Sequence, residues 1–130
     1  MTVGTNSRLL TLQAVVLREA RCTLPKVAAN RTHVFHLYMI EVENRSEIQE
    51  VLSSREIGTG IHYPIPVHLQ AACANLGYRT GDFPTAERAA AHVLSLPMYA
   101  EMRRDQTAFV AASLLDAIGG SRRTSQGAAV

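Results

Sequence analysis

Apolar and polar residues alternate along this chain with two different periods, and the change of period predicts helices and strands in turn. Apolar side chains that recur every three or four residues indicate amphipathic helices, whereas short runs rich in β-branched and aromatic residues indicate strands. The order of elements predicts an α+β fold in which helices cover a short three-stranded sheet. The helical pattern covers residues 8–21, 45–55, 67–76, 84–93 and 104–118, and the strand pattern covers 33–42, 57–63 and 93–98.

Capping and helix-breaking residues set several of the predicted helix ends. Asn44, with Glu47 three residues later, is close to a capping box at the start of the second predicted helix. Gly77 is expected to stop the helical run before it, and Pro84 suits the first turn of the next helix.

Composition and charge narrow the classes of function. The chain has 130 residues, 47% of them hydrophobic and 18% charged, which is typical of one globular domain. The net charge is +2 and the basic residues are scattered, so no nucleic-acid partner is expected. No apolar run is long enough to cross a membrane, and the start of the chain has no secretory pattern. We therefore expect a cytoplasmic location, with Cys22 and Cys73 as free thiols.

The stretch 58–70 combines two glycines with a rigid double-proline corner. Pro64 and Pro66 fix their own φ and push the residues before them toward extended geometry. Two interpretations stay open, a ligand-contact loop and a buried turn whose polar groups are satisfied internally. The polar side chains at this corner are His62, Tyr63, His68 and Gln70.

Other candidate chemistry is weak. His33 and His36 are three residues apart on a predicted strand, so they face opposite sides and no shared metal is expected. Ser95 lacks the glycine frame of a nucleophile elbow. Asp82 and Glu87 are interpreted as a loop residue and a helix-face residue, not as an acid/base pair, and no glycine-rich phosphate loop is present.

Seven blocks of sequence, taken together and in order, resemble the C-terminal part of the DegT/DnrJ/StrS-type sugar aminotransferases. Each block alone would be a weak signal, but their common order is specific. The blocks are residues 4–14, 33–38, 58–70, 76–78, 81–84, 86–87 and 93–99.

The resemblance implies a fold, a cofactor and a reaction. Enzymes of this family have the fold type I architecture of aspartate aminotransferase and depend on pyridoxal phosphate. They transfer an amino group, usually from glutamate, to a keto group on a nucleotide-linked sugar. This chain would then correspond to the small C-terminal domain, acting in a homodimer or in a dimer with a full-length relative.

Site residues follow from the resemblance only where positions match. Asn6 is expected to contact the cofactor phosphate of the neighbouring subunit, with Arg8 nearby, since amide and guanidinium groups both suit phosphate oxygens. His62, Tyr63 and His68 match the loop that lines the nucleotide-sugar pocket across the dimer. The alternatives are that Asn6 caps the first helix and that Arg8 is a solvated surface residue.

The chain departs from the family pattern in two places. The lysine that binds the cofactor lies in a large domain ahead of the first matching block, and Lys26, the only lysine here, sits in a Leu-Pro-Lys connection without a pocket. No catalytic residue is therefore assigned. The family also has a long helical segment that is missing between residues 23 and 24 of this chain.

These departures give a domain division and three hypotheses. Residues 1–23 would form a linking helix segment, 24–120 the small domain, and 121–130 a disordered tail after Gly119 and Gly120. The first hypothesis is an aminotransferase fragment that is inactive alone. The others are a non-catalytic binding or regulatory module that pairs with a full-length aminotransferase, and a marginally folded relic.

Overall fold

The computed structural model of the chain describes residues 36–99 and 101–127, with residues 121–127 described as helix backbone only. The first predicted helix and the start of the first predicted strand lie outside these residues. The same is true of Asn6, Arg8 and Lys26, so their expected roles stay predictions.

A short antiparallel sheet forms the centre of the fold. Strand β1 (Tyr38–Glu41) pairs with strand β2 (Val93–Leu96), and Met39 lies opposite Ser95. On the other side of β2, Gly60 and Ser95 exchange two backbone hydrogen bonds of 3.0 and 2.8 Å. Every residue of β2 is buried, so both faces of this strand are covered, since successive side chains point to opposite faces.

The structure differs from the predicted three-stranded sheet at its third strand. Within the described residues, the run over 57–63 contributes one bridge, at Gly60, and the regular sheet has two strands. Glycine weakens a strand because it offers no side chain to pack, and Pro64 and Pro66 have no N–H to extend the ladder. Ile57 in this run is buried, but the prediction of a strand over 57–63 is wrong.

Two helices cover the sheet and complete the core. Helix α1 (Arg45–Ser54) packs against helix α3 (Arg104–Gly127), and apolar residues at helical spacing face the sheet from both. Side chains of this kind each contribute about 1.5–3 kcal/mol when fully buried. The most deeply buried apolar side chains of the core are Ile40, Ile48, Leu52, Leu94, Ala111 and Leu114.

Helix α2 (Pro84–His92) leads directly into β2, with Pro84 in its first turn as predicted. Ahead of it, the predicted helix over 67–76 is two short 3-10 helices, Val67–Leu69 and Ala71–Leu76, because Gln70 between them has extended backbone angles. The predicted stop at Gly77 is confirmed, since this glycine has a left-handed φ of 76°.

Of two further predicted helix ends, one is confirmed and one is wrong. Asn44 is the N-cap residue of helix α1, as predicted, although it has a left-handed φ of 52° and its side chain makes no capping hydrogen bond. Helix α3 continues through Gly119 and Gly120 to Gly127, so residues 121–127 extend this helix where a disordered tail was predicted. Each glycine costs a helix roughly 1 kcal/mol relative to alanine, which an established helix can absorb.

Candidate functional site

The predicted site lies in an exposed connection between the bridge at Gly60 and helix α2. We call residues 61–83 the corner loop. It carries large apolar side chains that are 43–71% exposed although the core of the domain lies beside it. These side chains are Tyr63, Ile65, Val67, Leu76, Tyr78 and Phe83.

His62 is held against the sheet at the start of the corner loop. Its Nδ1 lies 3.0 Å from Oγ of Ser95, a residue of β2 that is 4% exposed. The ring also lies directly over Gly60, where an added Cβ would be 2.6 Å from the His62 Cε1 atom. The imidazole therefore has a defined position on the edge of the core.

Tyr63 follows His62 through a cis peptide bond and points away from the core. Its side chain is 71% exposed, and its ring meets the His62 ring edge-on with 5.7 Å between centroids. Of the predicted substrate-binding residues, it is the one most accessible to a ligand.

His68 is bound internally. Its Nε2 lies 3.1 Å from Oε1 of Glu87 in helix α2, and its side chain is only 8% exposed. The Phe83 ring packs on it, with 4.7 Å between ring centroids. At His68 the structure matches the second interpretation of the corner, a turn whose polar groups are satisfied within the fold.

Glu87 collects several hydrogen bonds from the corner loop. Its carboxylate accepts the Gly81 amide N–H at 2.9 and 3.0 Å and the Phe83 amide N–H at 3.3 Å, besides contacting His68. The Gly81 hydrogen bond lowers the pKa of the Glu87 carboxyl, burial opposes that shift, and Phe83 and His68 lower the pKa further.

The sequence predicted the segment of the candidate site but not the residues that organise it. Ser95 was interpreted only as a strand residue and Glu87 only as a helix-face residue. Their partners His62 and His68 are 33 and 19 residues away, and no local spacing signals contacts over such separations.

The described residues hold neither a metal site nor the covalent site of a cofactor. No group of three or more His, Cys, Asp or Glu side chains in this part of the chain could bind a metal ion. Residues 36–99 and 101–127 contain no lysine, so they do not fit the covalent attachment of pyridoxal phosphate. Among them, no helix is long and apolar enough to span a membrane.

The sequence of the chain is similar to the sequences of several curated proteins. A "Pleiotropic regulatory protein" of Geobacillus stearothermophilus is 45% identical over 66% of this chain and 23% of its own length. The dTDP-3-amino-3,4,6-trideoxy-alpha-D-glucose transaminase of Streptomyces venezuelae is 35% identical over 81% of this chain and 35% of its own length. The chain thus spans between about a quarter and a third of the curated relatives it matches.

The fold of the chain is also similar to that of a solved structure. The crystal structure of S. venezuelae DesV in complex with a ketimine intermediate superimposes with a TM-score of 0.75 and 32% identity, over 85% of this chain and 31% of that protein. The aminotransferases of this group depend on pyridoxal phosphate and have the fold type I architecture. The model of the DegT/DnrJ/EryC1/StrS aminotransferase family matches residues 4–115, and the chain belongs to that family.

Proposed function

We propose that this chain carries the substrate-contact portion of a pyridoxal-phosphate-dependent nucleotide-sugar aminotransferase. The observation that carries the proposal is the corner loop, which presents His62 and Tyr63 at the surface within the sequence that matches the family. The reaction is the transfer of an amino group, usually from glutamate, to a keto group on the nucleotide-linked sugar.

The corner-loop residues have different proposed tasks. His62 and Tyr63 offer an imidazole and a phenol that can hydrogen-bond to sugar, phosphate or base oxygens. His68 contributes to the same pocket mainly by holding the loop, because its Nε2 is already bound to Glu87. Asn6 and Arg8 are proposed to contact the cofactor phosphate in a neighbouring subunit.

Pyridoxal phosphate, when bound to an aminotransferase, carries the amino group between donor and acceptor. The described residues contain no lysine to hold it. The 130-residue chain on its own is therefore proposed to be inactive. Mixing it with pyridoxal phosphate should give no protein-bound visible absorbance band, and a band that disappears in Lys26→Ala would contradict this.

A chimera tests the proposed role of the corner loop. The segment of the S. venezuelae transaminase that aligns with residues 58–83 is replaced by the segment from this chain, and turnover of the dTDP-linked sugar is measured. We expect the chimera to be active, His62→Ala in the graft to lower activity at least tenfold, and Gly58→Ala to leave it unchanged. Equal activity of the chimera with and without His62→Ala would refute the role of this loop in substrate binding.

The alternative function is a non-catalytic binding or regulatory module that pairs with a full-length aminotransferase. The exposed apolar side chains of the corner loop favour it, because such groups mark surfaces that other proteins cover. Size-exclusion chromatography of this chain mixed with a full-length family enzyme distinguishes pairing with the enzyme from pairing with a second copy of this chain. A mixed complex supports the hypothesis of a binding or regulatory module, whereas a homodimer that does not bind the enzyme supports assembly with a second copy of this chain.

A further inference from the structure

We infer that Ser95 and Gly60 are positioning residues that seat the His62 imidazole and fix its tautomer, so that Nε2–H faces an oxygen of the substrate. The inference rests on the proposed function for the identity of that substrate, a nucleotide-linked sugar. The seat itself consists of contacts among described residues.

The direction of the hydrogen bond between Ser95 and His62 decides the tautomer. Within the described part of the chain, His62 Nδ1 is the only hydrogen-bond partner of the Ser95 hydroxyl. If a neutral ring donated from Nδ1, the hydroxyl hydrogen would be buried in β2 without an acceptor, which is unfavourable. The hydroxyl therefore donates to Nδ1, and the ring proton resides on Nε2.

The seat is rigid because it is part of the sheet. The backbone N–H and C=O of Ser95 both bond to Gly60, at 2.8 and 3.0 Å, so the two residues beneath the imidazole are fixed relative to each other. A Cβ at Gly60 would lie 2.6 Å from Cε1 and 3.3 Å from Nδ1 of His62. Only glycine at this position leaves room for the ring to reach the serine.

The orientation of His62 has a chemical consequence. In residues 36–99 and 101–127, Nε2 of His62 has no hydrogen-bond partner, so it is available to a ligand. With the proton on Nε2 the ring donates to an oxygen acceptor, whereas the other neutral tautomer would offer a lone pair and bind a donor instead. The acceptor is a phosphate, sugar or base oxygen of the nucleotide-linked sugar.

Nitrogen-15 NMR of the imidazole rings tests the tautomer directly on the 130-residue chain. Spectra are recorded at about pH 8.5, roughly two units above the ordinary pKa of an imidazole, so that neutral rings dominate. The His62 signals, assigned with His62→Gln, should show a protonated Nε2 and an unprotonated Nδ1. A protonated Nδ1 in the wild-type chain would overturn the inference.

Serine variants test the hydroxyl. Ser95→Ala should shift both ring nitrogens toward averaged positions, because the two tautomers become close in energy, and Ser95→Thr should restore the wild-type pattern. Ser113→Ala is the matched control, since Ser113 is 2% exposed but lies in α3. Wild-type His62 signals in Ser95→Ala would refute the role of the hydroxyl, whatever the effect on stability.

Glycine variants test the seat independently of the serine. Gly60→Ala should displace the ring, which abolishes the nuclear Overhauser contact between the His62 ring and the Ser95 side chain. Gly58→Ala should keep that contact, because an added Cβ at Gly58 meets no atom within 4 Å. Retention of the contact in Gly60→Ala would contradict the argument.

Ligand titration separates this inference from the proposed function. With dTDP-glucose, Ser95→Ala should bind about tenfold more weakly than wild type and Ser95→Thr normally, as expected for one misdirected hydrogen bond. The same loss with dTDP alone would place the acceptor in the nucleotide, and a loss confined to dTDP-glucose would place it in the sugar. If the wild-type chain binds neither, the proposed function fails while the NMR result still decides the seat. Equal binding by wild type and Ser95→Ala would overturn the substrate contact.

Discussion

At the residue scale, single polar side chains tie the exposed corner loop to the fold. The Glu87 carboxylate accepts amide hydrogen bonds from Gly81 and Phe83 and contacts His68, so it joins both ends of the 3-10 region to the first turn of α2. Asp82, which accepts the Arg79 amide N–H at 2.8 Å, closes a smaller turn inside the same segment. The loop is thus ordered mainly by carboxylates and little by apolar burial.

This arrangement predicts a pH-dependent contribution of Glu87 to stability. Its pKa is lowered on folding from an ordinary value of 4.5, so its contribution is present above pH 4.5 and is lost as the pH falls through the folded value. Glu87→Gln should therefore lower the unfolding midpoint at pH 7, and its difference from wild type should shrink below pH 4.5. Thermal unfolding followed by circular dichroism between about pH 7 and pH 3 measures both.

The matched control for this prediction is Glu50→Gln, an exposed glutamate on α1. It should leave the midpoint nearly unchanged at every pH. A Glu87→Gln effect that stays constant down to the acid limit would show that the carboxylate charge has no part in ordering the loop.

Single residues of the corner loop differ in how far the sequence predicts their place in the structure. The prolines of the corner predicted a rigid bend with His62 and Tyr63 on it, because their backbone restrictions act locally, but they left open whether the bend is exposed or buried. The partners Ser95 and Glu87 could not be predicted. Strand pairing brings Ser95 to His62, folding of the loop brings Glu87 to His68, and neither contact has a signal in the local sequence.

At the element scale, Arg45 links the start of one helix to the end of another. Its guanidinium donates to the carbonyl oxygens of Ala90 at 2.6 Å and Val93 at 3.4 Å, which belong to the C-terminal end of α2 and the first residue of β2. A cation at a helix C-terminus satisfies carbonyls that lack a helical partner and interacts favourably with the helix dipole.

Removal of this link is expected to destabilise the domain measurably. Arg45→Met keeps much of the side-chain length but leaves the two carbonyls without their donor, which should cost about 1–3 kcal/mol of unfolding free energy. Arg88→Met is the control, because its partner Glu41 is reached at 3.3 Å by a largely exposed side chain, and such pairs contribute at most about 1 kcal/mol. Urea denaturation compares them, and equal effects would contradict the assigned role of Arg45.

The boundaries of helices and strands were predicted well where they depend on nearby residues, and poorly where they depend on distant contacts. Periodic apolar residues predicted α1 and α2 well, because the apolar residues of an amphipathic face recur in each turn of a helix. The run over 57–63 has the composition of a strand, yet among the residues that the structure describes Gly60 makes its one bridge to β2, because the prolines that follow cannot extend the ladder. The end of α3 was missed because tolerance of Gly119 and Gly120 depends on the stability of the whole helix.

At the scale of the whole molecule, the large apolar side chains that the structure describes form a buried core and an exposed set, most of which lies in the corner loop. The sheet, α1 and α3 enclose a buried core, whereas the corner loop leaves Tyr63, Ile65 and Val67 more than half exposed. Soluble monomers rarely expose contiguous apolar patches of more than a few hundred square ångströms unless a partner covers them. A second chain that covered these side chains would remove apolar surface from water, which favours the proposed assembly.

The exposed side chains therefore predict an association that can be removed without unfolding the domain. In Ile65→Ser/Val67→Ser, the loss of two apolar groups that are 53% and 70% exposed should shift the chain toward monomer while the unfolding midpoint changes little. Sedimentation velocity over a concentration series measures association, and thermal unfolding measures the fold. Phe109→Ser is the control, because this residue is equally exposed at 53% but lies on α3, outside the corner loop. If Phe109→Ser abolishes association and the double variant does not, the apolar face that a partner covers is on α3, and the corner loop must be solvated for another reason, such as ligand access to Tyr63.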